Sequence, residues 1–180
     1  MTLRLLAAAA FAALAASPAL AADADPCAQS RSAKVTFTSP GDIVTATSFS
    51  GPVAPEGGGD NCRHAIVVLT VHTVEGVPVT VFGASVLAAS YDLGHTEAPV
   101  SAAQLGAFLD EWVKVEITTS DTAPAPDAEG VTTTLPAADY NAIKAAKAPM
   151  LCYQAGAHDR TCLAPDASGY AVELFTIDQA

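Results

Sequence analysis

Basic residues are scarce in this chain. Eight Lys and Arg stand against 19 Asp and Glu over 180 residues, a formal charge of −11. A phosphate backbone needs clustered cations, so this balance argues against nucleic-acid binding and against an anionic membrane surface. The chain also has no Cys-x-x-Cys pair, which removes a thioredoxin-like redox role. Gly-x-Ser-x-Gly is missing, and with it the strand-turn-helix elbow of many serine hydrolases. Gly83-Ala84-Ser85 has neither the second glycine nor a helical pattern after it. Gly57-Gly58-Gly59 precedes a strand-like run instead of a helix, so it reads as loop and not as a phosphate cradle.

Long apolar runs are limited to the N-terminus. Arg4 supplies a positive start, Leu5 to Ala16 is purely apolar, Pro18 breaks the run, and Ala19-Leu20-Ala21 has small residues where a signal peptidase needs them. The run is shorter than the roughly 20 residues that span a bilayer, and Asp23 and Asp25 follow at once. Residues 1–21 are therefore expected to be a signal peptide, and 22–180 a single soluble domain exported to the periplasm or beyond. Cys27 follows Asp25-Pro26, which does not suit a lipid attachment site, so no membrane insertion is expected after cleavage. Without Arg4, 7 basic and 19 acidic residues remain, a charge of −12 over 159 residues. That length can bury a real core, and the charge serves solubility first.

Four cysteines are present: Cys27, Cys62, Cys152 and Cys162. An even count in an oxidising compartment predicts two disulfides. Three pairings exist, and nearness in sequence favours Cys27–Cys62 with Cys152–Cys162.

Periodicity supplies the elements. Lys34 to Thr38 alternates as a strand does. Pro40-Gly41 turns the chain into a second strand, Asp42 to Phe49. His64 to Val74 and Val77 to Phe82 are β-branched runs joined at Glu75-Gly76, which predicts a hairpin. Pro78 suits an edge, and Ala84 to Tyr91 could continue the strand past Gly83. Ser101 and Gln104 form a capping-box pattern ahead of Leu105, Phe108, Leu109 and Trp112 at helical spacing. Val113 to Thr119 alternates as strand. Pro136 suits the first position of a second helix, ended by Pro149. Met150 to Gln154, Thr161 to Leu163 and Tyr170 to Ile177 are short strands. The order predicts an α+β fold: an antiparallel sheet with two short helices packed on one face and two disulfides.

Candidate chemistry is sparse. His64 and His72 are eight residues apart, about 26 Å along a strand at roughly 3.3 Å per residue, too far to share one ion. With His95 and His158 they form no recognisable metal set, so neither metal nor cofactor is expected. Asp110 and Glu111 are adjacent on a helix and read as a solvated face. Phe108 and Trp112 fit core spacing, with a ligand pocket as the alternative.

The segment from Cys152 to Cys162 stands out. A bridge would hold Tyr153, His158 and Arg160 on a constrained hairpin, and Tyr and Arg are enriched at binding hot spots. These three residues are the candidate binding group. They predict a non-enzymatic interaction module with a protein partner in the cell envelope. The alternatives are a small periplasmic hydrolase whose site is assembled in space, and a structural envelope component.

Overall fold

A computed structural model describes residues 25–50, 61–72, 86–87 and 99–178. The signal segment 1–21, the glycine run 57–59, the turn at Glu75-Gly76 with the strand after it, and His95 lie outside those residues.

Alternation along the chain becomes two antiparallel sheets. The first contains β1 (Ser30–Thr36), β2 (Pro40–Phe49), β3 (Ile66–His72) and β4 (Val86–Leu87), in the order β1-β2-β3-β4. The second contains β5 (Glu116–Thr119), β6 (Val131–Thr132), β7 (Pro149–Gln154), β8 (Asp159–Pro165) and β9 (Ala171–Asp178), in the order β5-β7-β8-β9-β6. Among the described residues the α-helices are α1 (Ala102–Trp112) and α2 (Ala137–Ala146).

Period-two patterning decides which side of each strand is buried. On β2, Val44 and Ala46 turn inward while Ile43, Thr45 and Thr47 turn out. Across the ladder Val44 faces Val71 and Ala46 faces Leu69, so the inward sets of β2 and β3 coincide. They pack with Leu105, Leu109 and Trp112 of α1, and with Leu151 and Leu163 of the second sheet. Met150 and Cys152, one step along β7 on either side of Leu151, face the other way. They join Cys162, Ala164 and Phe175 against Tyr140 and Ile143 of α2. The second sheet is thus a central layer with apolar residues buried on both faces.

The α+β class and the antiparallel pairing hold. The strands divide between two sheets, and the two helices lie on opposite faces of the second. Partition between sheets depends on pairings distant in sequence, and local periodicity does not encode it.

Helix α1 starts as its capping box requires. Ser101 Oγ accepts from Gln104 N at 3.2 Å, and Gln104 Oε1 accepts from Ser101 N at 2.9 Å. Pro136 stands at the N-cap of α2, one place earlier than its fixed φ suggests, and makes no side-chain cap bond. Helix α2 stops before Pro149. Lys147 takes a left-handed conformation (φ 53°) at its C-cap, and Pro149 opens β7. His64 sits in a turn closed by Ala65 N donating to Cys62 O at 2.9 Å, so β3 begins only at Ile66. The expected strand start at His64 is corrected accordingly.

Both expected disulfides form. Cys27–Cys62 has a Cα separation of 5.3 Å and ties the segment before β1 to the turn before β3. Cys152–Cys162 joins residues directly opposite on β7 and β8, with Cα atoms 4.1 Å apart.

One buried carboxylate organises the β1–β2 turn. Asp42 has no exposed surface. Its Oδ2 accepts from the backbone N–H of Phe37, Thr38 and Ser39 and from the Thr38 hydroxyl, and its Oδ1 accepts from the Ser39 hydroxyl. Burial by itself would raise its pKa, but the hydrogen bonds from Ser39 and Thr38 outweigh that and hold the carboxyl below its ordinary value.

Candidate functional site

The β5–β7 pairing stops short of the end of β7. Glu116 lies opposite Cys152, but Tyr153 and Gln154 have no partner on β5. The chain before Glu116 peels away toward the end of α1 and leaves a notch at the sheet margin. Trp112 closes the back of this notch. Its indole Nε1 donates to Gln154 O at 2.8 Å, which satisfies a carbonyl that β5 does not reach. Phe108 stacks obliquely beside it, with ring centroids 5.2 Å apart. The notch encloses about 320 Å³, and its walls include Phe108, Trp112, Lys114, Tyr153, Gln154 and Arg160.

Tyr153 and Arg160 arrive by different routes. Tyr153 lies opposite Thr161 on β8, on the face that carries Leu151, and packs against the core beneath α1. Burial raises its phenol pKa, the nearby Glu173 charge raises it further, and a hydrogen bond with Thr161 offsets part of the shift. The hydroxyl is therefore neutral at physiological pH. Arg160 lies opposite Gln154, on the face that carries the disulfide. Its Nη2 donates to Glu116 Oε2 across the top of β7. Behind that ion pair lies a second cavity of about 310 Å³, which also has Glu116, Cys152 and Arg160 in its walls. Lys114 Nζ pairs with Glu111 Oε1 at 2.6 Å on the rim. The notch therefore combines an aromatic floor with two cations, each already beside a carboxylate. Such a surface offers apolar contact together with hydrogen bonds of either sign.

Of the three candidates, Tyr153 and Arg160 meet at this notch. His158 stands at the exposed tip between β7 and β8 and does not line it. Phe108 and Trp112 serve as core and as pocket wall together: Trp112 is 4% exposed. Asp110 and Glu111 lie on the outer face of α1, paired with Arg31 (2.7 Å) and Lys114.

Among the described residues no group of three or more His, Cys, Asp or Glu side chains is arranged to hold a metal ion. No described helix is long and apolar enough to cross a membrane. Compared with protein families, curated proteins and solved structures, the chain matches none.

Proposed function

We propose that this chain is an exported, non-enzymatic interaction module of the cell envelope that binds a protein partner through the notch between α1, β5 and the β7–β8 hairpin. The signal-like leader and two disulfides suit an oxidising compartment. The observation that carries the reading is the meeting of Tyr153 and Arg160 with Trp112 and Phe108 on one open cavity. Aromatic and Arg side chains carry most of the energy of typical interfaces. The cross-strand disulfide holds β7 and β8 in register, so little conformational freedom is lost on binding.

The test is affinity capture from envelope extracts of the native host, with the wild-type protein and the Tyr153→Phe/Arg160→Gln double variant compared at equal thermal stability. A partner held by the wild type and lost in the double variant supports the notch. A partner held equally by both refutes it.

A further inference from the structure

Helix α2 and its C-cap carry two lysines, and both turn toward one side. Lys144 Nζ donates to the carbonyls of Ala123 and Pro124, and Lys147 Nζ lies 3.8 Å from Asp121. The opposite side of the helix is thereby left without a cation. There Ala142 and Ala146 are exposed and too short to fill the space toward the β8–β9 turn. The result is a groove of about 460 Å³, floored by Leu135, Ile143, Pro165 and Val172. Among the described residues, the only charged side chains on its walls are Asp139 and Asp166. Asp166 is engaged in the backbone: its Oδ1 accepts from Ser168 N at 2.8 Å and Tyr170 N at 3.1 Å, which pins the turn. Asp139, in the first turn of α2, is exposed.

We propose that this groove is a second binding site, separate from the notch, for a small organic cation: an apolar body of ring or branched-chain size with an ammonium or guanidinium group. Its volume falls within the range usual for small-molecule sites, about 300–1,000 Å³. Its apolar floor takes the body, and its carboxylate-only rim selects the sign of the head group. The net charge of the protein adds long-range attraction of the same sign.

The experiment is a titration of the intact disulfide-bonded protein, ¹⁵N-labelled, with cyclohexylmethylammonium, cyclohexylmethanol and cyclohexanecarboxylate, followed by amide shifts. The cation is expected to bind most tightly and the carboxylate most weakly, with shifts centred on Leu135, Ala146 and Val172. Asp139→Asn should weaken the ammonium probe by about two- to five-fold, the range of an exposed ion pair, and leave the alcohol unchanged. Ala142→Leu should fill the groove and abolish binding of all three probes, with the helical signal retained. Equal binding of anion and cation overturns the proposal. So do shifts centred elsewhere, or no groove shift at millimolar probe.

Discussion

Replacing Asp42 with alanine should be among the most damaging single changes in the described structure. The carboxylate accepts five hydrogen bonds, three of them from consecutive backbone N–H groups, in a place closed to water. Alanine strands those donors, and Phe37, whose N–H is one of them, is only 2% exposed. Bonds to a charged acceptor contribute about 1.5–3 kcal/mol each, but part of that repays the desolvation of the carboxylate. The net loss for Asp42→Ala should be about 2–4 kcal/mol, or roughly 6–12 °C in Tm at this chain length. Asp42→Asn keeps one carbonyl oxygen for the backbone donors and should lose less, about 1–2 kcal/mol.

The sign with pH follows from the lowered native pKa. The unfolded carboxyl titrates near 3.9, and the native one lower. The contribution of the charge is therefore fully present above about pH 4–5 and is lost as pH falls through the native value. Urea unfolding of wild type and Asp42→Asn, with disulfides intact, reads this directly. The stability gap should be constant from pH 5 to 7 and shrink below pH 4. A cost under about 1 kcal/mol for Asp42→Ala, or a gap that does not narrow in acid, refutes the argument.

Other expectations are simpler. Removing Cys152–Cys162 should destabilise the chain by about 3 kcal/mol and removing Cys27–Cys62 by about 4, since the second closes the longer loop; denaturant midpoints of the paired Cys→Ala variants check the order. Ser101→Ala should cost about 1 kcal/mol through the lost cap, and Ser101→Gly only a few tenths, in the same assay. Trp112→Phe leaves Gln154 O without its indole donor, so it should lower stability by about 1–2 kcal/mol and quicken hydrogen exchange at the end of β7.

Features that are local in sequence are legible without the structure. The capping box of α1 needs only residues three apart, and each disulfide joins neighbours among four cysteines. Periodicity places Asp42 at the start of a strand and says nothing of its burial. The run Thr38-Ser39-Pro40-Gly41-Asp42 holds that signal, since hydroxyl and turn residues ahead of an Asp supply the donors it accepts from. The left-handed Lys147 has no such signal, because that position ordinarily takes Gly or Asn. Residue type, together with a place between Cys152 and Cys162, singles out Tyr153 and Arg160. Their convergence with Trp112 depends on a hydrogen bond across 42 positions, which periodicity does not report.

The cross-strand bridge has a consequence for survival under proteolysis. Residues 155–158 form the link between β7 and β8, with His158 exposed at the tip, and such tips are where chains are nicked. A single cut there severs no sulfur bridge. Cys152 on one side and Cys162 on the other still hold the new ends, and the ladder between them still carries its register. The nicked molecule would run as one species on a gel without reductant and as two with it. The walls that Tyr153 and Arg160 contribute to the notch would outlast the wound.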